Sequence, residues 1–180
     1  MDLFPIPTYD SVAAANQQTF DALKGKLGMV PNLYATMAHS DTALSAYLAA
    51  QNAPTGFDAK DKEVINLVTS QVNGCSYCLA AHTMISGGLG HSPDQIQEVR
   101  RGRASFDPKL DILARLTKSV VENRGHADPT LVSEFLTSGW TKAHVVDLTL
   151  VIAVKTMTNY LHAATQVPVD FPAAPALAAA

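Results

Sequence analysis

Cysteine is scarce in this chain. Of 180 residues only Cys75 and Cys78 are cysteine, and they form a single Cys-x-x-Cys pair. There is no second pair, such as a structural zinc site usually draws on, which argues against zinc. Charge is also scarce: 16% of residues are charged and the net charge is -3, against the usual quarter of a globular chain. No run of Lys or Arg occurs, which excludes the basic footprint of a nucleic-acid partner. Long apolar runs are missing too. The most apolar stretch, residues 145–154, contains Asp147 and is too short to span a bilayer, so no membrane partner is expected. The opening Met1-Asp2-Leu3-Phe4-Pro5 lacks the basic and apolar regions of a secretory signal, so the expected location is cytoplasmic. Thiols stay reduced there, and a lone Cys-x-x-Cys is then catalytic or metal-binding sooner than a structural staple. Finally, no two-residue alternation is sustained anywhere, so the fold class expected is all-α.

What is present fits that class. The hydrophobic fraction is 47%, much of it alanine. Low charge with abundant alanine suggests helices that bury more than one face, as in a homo-oligomer. At this length one domain is expected, large enough to bury a sizeable core. Residues 1–30 read as an arm and a first helix, 31–172 as a helical domain and 173–180 as a tail. Asp10 or Ser11 can cap a helix that Gly28 stops near Leu27. Pro31 suits the start of a short helix over 32–38, and Ser40 or Asp41 the cap of the next. Asp58 caps a helix over 59–72, whose Val64, Ile65, Leu67, Val68 and Val72 follow helical spacing. Asn73-Gly74 signals a turn, and the cysteine helix runs from about Cys75 to Ser86, ending at Gly87-Gly88. Ser92-Pro93, Asp107-Pro108 and Asp128-Pro129 open three more helices, and Thr141 caps a long one over 142–164. From Val167 a Pro- and Ala-rich tail lies extended over the body or a neighbour.

A shift of 83 residues shows one internal correspondence: Gly56-Phe57 falls on Gly139-Trp140, and Tyr77, Ala80 and Ala81 on Tyr160, Ala163 and Ala164. Two amphipathic segments can match by chance, and the alternative is a duplicated helix pair. The chemistry does not repeat, since Glu63, Cys75, Cys78 and His82 fall on Val146, Thr158, Leu161 and Thr165.

The candidate site is Cys75, Cys78 and His82, with Glu63 on the preceding helix. On one helix the first three occupy positions i, i+3 and i+7 and share a stripe. Both cysteines stand at the helix start, where unpaired N–H groups and the positive end of the macrodipole favour a thiolate. A thiolate attacks an electrophilic sulfur or oxygen, and a second thiol one turn away can close the disulfide. The plainer alternative is two buried small hydrophobes. His82 is the natural proton acceptor for a thiol. In an antiparallel pair turning at Asn73-Gly74, Glu63 lies about 14 Å from the turn at 1.5 Å per residue, almost level with His82. It is better placed to hold His82 than to reach Cys75; otherwise it is one more solvated residue in Lys60-Asp61-Lys62-Glu63. Tyr77 points off the sulfur stripe. His39, His91, His126 and His144 read as surface or core-edge residues, and His162 as the one remaining histidine of interest. Nothing in the residues chooses between the two cysteines.

With these residues the sequence resembles the AhpD-like alkylhydroperoxidases of the carboxymuconolactone decarboxylase superfamily. The family motif is a glutamate twelve residues before Cys-x-x-Cys, then x-x-x-His, and here it reads Glu63…Cys75-Ser76-Tyr77-Cys78-Leu79-Ala80-Ala81-His82. The segments Asn159-Tyr160-Leu161-His162 and Val169-Asp170-Phe171-Pro172 also look like the C-terminal end of the family's peroxidase-related members. The resemblance covers roughly residues 30–172. It implies an AhpD-like helical domain, assembled as a trimer or hexamer, that reduces hydroperoxides without a bound cofactor. It implies that Cys78 attacks the peroxide, Cys75 resolves the sulfenic acid, and Glu63 and His82 form a proton relay. It implies recycling by an external dithiol, of dihydrolipoyl type in the family. The best-known members carry histidine where Tyr77 stands, so one relay partner is replaced. The decarboxylase branch shares the fold without relying on this cysteine pair.

Overall fold

The computed structural model describes residues 3–177, so the first two residues of the expected arm and the last three of the tail lie outside the described residues. Among the described residues there are nine α-helices and no strand: α1 (Ala14–Leu27), α2 (Asn32–Met37), α3 (Ala43–Gln51), α4 (Ala59–Val72), α5 (Ser76–Gly88), α6 (Pro93–Arg100), α7 (Pro108–Glu122), α8 (Pro129–Thr137) and α9 (Lys142–Thr165). The all-α expectation is met.

Most helix starts follow from local chemistry. Asp58 and Asp61 form a reciprocal capping box at α4, and Ser92 with Gln95 forms another at α6. Proline occupies the first turn of α6, α7 and α8, where its missing N–H costs nothing. Two expected caps fall elsewhere. Neither Asp10 nor Ser11 starts α1. Tyr9–Ser11 is a 3-10 turn in which the Ser11 hydroxyl donates back to the Thr8 carbonyl at 2.8 Å, and α1 begins only after Ala13. For α3 the cap position is Thr42, although Ser40 Oγ still accepts the Ala43 N–H at 3.2 Å.

The chain forms two compact units. One comprises the residues up to Ala53 together with Leu161–Asp170. Within it Tyr34 packs on Tyr47 with ring centroids 5.5 Å apart. The carboxylate of Asp170 accepts the Asn32 N–H at 2.7 Å, at the positive end of α2.

The other unit comprises Pro54–Tyr160 and the residues from Phe171 onward. Its core gathers Val64, Ile65, Leu67 and Val68 of α4, Leu113 and Leu116 of α7, Phe135 of α8, and Leu148 and Ile152 of α9. α4 is central and packs on α5, α6 and α7. Burial of such side chains contributes about 1.5–3 kcal/mol each, so a polar group on the inner face of α4 must be paired. Asp147, which interrupts the apolar run, caps the Gly56 N–H at 2.7 Å. The tail is held in this unit by Arg100 Nη1 donating to the Pro175 carbonyl at 2.6 Å.

The 83-residue correspondence has a different meaning in three dimensions. The first copy is two helices that turn at Asn73-Gly74. The second is the uninterrupted α9, so the match is one of residue pattern along a continuous helix, not of a second helix pair.

Candidate active site

Three helices of the second unit build the site. Between α4 and α5 the chain reverses at Gly74, whose φ of 65° is left-handed. That conformation disfavours any residue with a Cβ. Cys75 follows in extended conformation as the N-cap of α5, and its sulfur accepts the Cys78 N–H at 3.4 Å. The sulfur thus does the work that a Ser or Asp oxygen does at other helix starts. Cys78 lies in the first turn. Both cysteines are free thiols, and each is 3% exposed.

Glu63 is buried despite its charged neighbours in sequence. Both carboxylate oxygens are engaged: Oε1 accepts from Asn66 Nδ2 at 2.9 Å, and Oε2 from His82 Nδ1 at 2.7 Å. The near-level placement expected for an antiparallel pair therefore brings Glu63 to His82. Burial is the largest influence on the carboxyl and raises its pKa. It is outweighed by the electrostatic attraction and hydrogen bond of the His82 N–H, the Asn66 amide and the Lys155 charge, so the net shift is downward.

α9 contributes three residues that the sequence reading did not single out. Lys155 is buried, and its Nζ lies 2.5 Å from His82 Nε2. Both ring nitrogens of His82 are thereby taken, one by Glu63 and one by Lys155, so the imidazole makes no direct bond to sulfur. Thr158 Oγ1 lies 3.5 Å from Cys78 Sγ and donates to the Lys155 carbonyl at 2.7 Å. Asn159 donates to Ser70 Oγ at 3.3 Å, accepts from Asn73 at 2.9 Å, and bonds the Cys75 thiol. Two signals could have drawn attention here. Lys155 is the lone cation in the apolar stretch Val151-Ile152-Ala153-Val154-Lys155-Thr156-Met157, and Thr158 is the residue that the 83-residue shift matches to Cys75.

The two thiols are unequal. Cys78 is lowered to about 5 from an ordinary 9.0. Its hydrogen bond with Cys75 is the largest cause; burial opposes the shift, and the charge of Lys155 adds to it. Cys75 moves the other way, raised first by that same hydrogen bond and then by burial. The pair is thus pushed apart, Cys78 towards the thiolate and Cys75 towards the thiol.

Tyr77 does point off the sulfur stripe. It is buried, edge-on to Phe171 at 5.6 Å. His91 is also buried, with Nδ1 2.8 Å from Ser86 Oγ, and His162 places Nε2 3.2 Å from the Val167 carbonyl. His144 lies against Trp140 and Phe57. None of these three stands at the thiols. Among the described residues no group of three or more His, Cys, Asp or Glu is arranged to hold a metal ion.

Residues 38–118, which include Glu63, both cysteines and His82, match the model of the carboxymuconolactone decarboxylase family. That stretch is a little under half of the chain, and over the rest the likeness to known proteins is one of fold. Solved structures share the fold. An alkylhydroperoxidase AhpD core, an uncharacterized peroxidase-related protein from Ralstonia eutropha JMP134, has a TM-score of 0.83 at 20% identity over 93% of this chain and 91% of its own. An uncharacterized peroxidase-related protein from Silicibacter sp. TM1040 has 0.79 at 21% identity over 92% and 89%. The debrominase Bmp8, in complex with a tribromopyrrole, has 0.77 at 16% identity over 94% and 92%. No curated protein matches the chain. At these identities the likeness is one of fold. No described helix is long and apolar enough to cross a membrane.

Proposed function

We propose that this protein is a thiol-dependent peroxidase, alkylhydroperoxidase-like, that reduces hydroperoxides through a Cys75/Cys78 dithiol–disulfide cycle. The observation that carries the reading is the inequality of the two thiols. Cys78 is pushed down towards the thiolate and Cys75 is pushed up, and the thiolate is the nucleophilic form. Cys78 is therefore the nucleophile. Its thiolate attacks the peroxide O–O bond, forms the sulfenic acid and releases an alkoxide that takes up a proton. Cys75, still a thiol, attacks that sulfur, the disulfide forms and water leaves. An external dithiol of dihydrolipoyl type returns both cysteines to thiols by exchange. Glu63 and His82 stand behind the thiols as the Glu/His relay of these steps.

A homo-oligomer, trimer or hexamer, fits the exposed faces. Val146, Leu150, Met157 and Tyr160 recur at helical spacing along α9, and all four are exposed large apolar residues. A cytoplasmic location keeps the dithiol reduced.

The test is hydroperoxide consumption by the full chain with dihydrolipoamide as reductant. Cys78→Ser is expected to abolish turnover, and Cys75→Ser to stop at one turnover with a sulfenic acid trapped by dimedone. An unchanged rate in Cys78→Ser refutes the reading. A disulfide that forms with peroxide yet never turns over marks a redox switch instead. Activity on a lactone acid that survives thiol alkylation marks a lyase.

A further inference from the structure

We propose that Lys155 is the proton donor of this thiol site, and that His82 acts on the sulfur only through it. The proposal rests on the peroxidase reading above. Geometry carries it. His82 has no ring nitrogen left for sulfur: Nδ1 donates to the Glu63 carboxylate and Nε2 faces Lys155 Nζ at 2.5 Å. An ammonium has three N–H donors and no acceptor, so Nε2 accepts one of them and two stay available. Lys155 stands one helical turn before Thr158, whose hydroxyl bridges the Lys155 carbonyl at 2.7 Å and Cys78 Sγ at 3.5 Å. Positions i and i+3 share a helix face, so the lysine and Cys78 lie on the same side of α9. The titratable groups of the cluster are Glu63 from α4, Cys75, Cys78 and His82 from α5, and Lys155 itself.

A magnitude shows why such a donor is needed. Lowering a thiol from 9 to 5 raises its ionised fraction at pH 7 about 100-fold. With a Brønsted slope of about 0.4–0.5, the same change lowers thiolate nucleophilicity about 40- to 100-fold. The two nearly cancel, so the low value by itself accelerates little. The larger gain comes from a proton delivered to the departing oxygen, where general acid catalysis contributes about 100-fold or more.

The Cys78 thiolate attacks the hydroperoxide, its S–O bond forms, the O–O bond breaks, and the alkoxide takes a proton from the Lys155 ammonium. The products are Cys78 sulfenic acid, an alcohol and a neutral Lys155 amine. Cys75 thiol and the sulfenic acid give the disulfide and water. An external dithiol reduces the disulfide and becomes oxidised itself, both cysteines return as thiols, and the amine takes the Cys78 proton. Glu63 and His82 are positioning residues here, since the imidazole aims the ammonium and the carboxylate holds the imidazole's tautomer.

The test compares Lys155→Met and Lys155→Arg in the full reduced chain. Two readouts are followed: the pH dependence of Cys78 alkylation by iodoacetamide, and hydroperoxide turnover. Lys155→Met is expected to move the alkylation midpoint up by about one pH unit or more. It is also expected to cut turnover at least about tenfold. Lys155→Arg is expected to restore the midpoint but not the turnover, because a guanidinium keeps its charge and does not release a proton at neutral pH. If Lys155→Met does not fold, Glu63→Gln/Lys155→Met is compared with Glu63→Gln. An unmoved midpoint, or full turnover in Lys155→Met, overturns the proposal while wild-type peroxidase activity keeps the functional reading. A wild type inactive on every hydroperoxide overturns both the reading and the proton delivery, and a moved midpoint then leaves Lys155 as a charge partner only.

Discussion

Glu63 Oε2 and His82 Nδ1 lie 2.7 Å apart across the α4–α5 pair, and both side chains are more than nine-tenths buried. A carboxylate in that position is the counter-charge for a buried cluster that also holds Lys155. Removing it should cost more than one hydrogen bond. Glu63→Ala is expected to destabilise the fold by about 3–5 kcal/mol, the usual cost of stranding a buried charge. Glu63→Gln keeps the shape and an acceptor for Nδ1–H, so it should cost clearly less. Urea unfolding of the two variants checks the order. Equal losses would mean that shape, not charge, is what the site needs.

Stability should follow pH with a rise and a fall. The folded Cys78 value, about 5, lies below its ordinary 9.0, so its contribution is full above the unfolded value and is lost as pH falls through about 5. Glu63 is lowered too, and its contribution is lost further into acid. Cys75 is raised, so its contribution is present below the ordinary thiol value and is lost as pH climbs past it. Stability of the reduced protein is therefore expected to rise from pH 5 towards pH 9 and to fall above that. Chemical denaturation across this range measures it, and Cys78→Ala should flatten the rising limb. A rising limb that survives in Cys78→Ala would assign it to another group.

Gly74 occupies a left-handed turn, and an added Cβ would meet no neighbouring atom. Gly74→Ala is expected to cost about 1–2 kcal/mol from backbone strain. The alkylation profile of Cys78 should stay the same, because the cap of α5 is built from Cys75 onward. A shifted profile in a folded variant would show that the turn itself sets the thiol's environment.

Helix starts were legible because their causes lie within three or four residues. Asp58 with Asp61, Ser92 with Gln95, and the prolines of α6, α7 and α8 announce themselves. Where a side chain had a second local partner, as Ser11 has in the Thr8 carbonyl, the start was misplaced. Cys75, Cys78 and His82 were legible as a stripe because one helix carries all three. Glu63 was legible because a short turn ties its helix to theirs. Lys155, 73 residues from His82 in the chain, was not, and neither were Thr158 and Asn159. The tight turn that separates α4 from α5 has no counterpart in α9, so residue correspondence did not carry over into a second helix pair.

By itself the chain's order of residues determined the helices, the pairing of two sulfurs one turn apart, and the level at which a carboxylate meets an imidazole. Those depend on rise per residue, turn chemistry and caps, all of them short-range. Only the tertiary structure pushed the two sulfurs apart in acidity, and it brought a buried lysine against the imidazole. A charge acts through distance and burial, and both come from the packing of α9 beside α5.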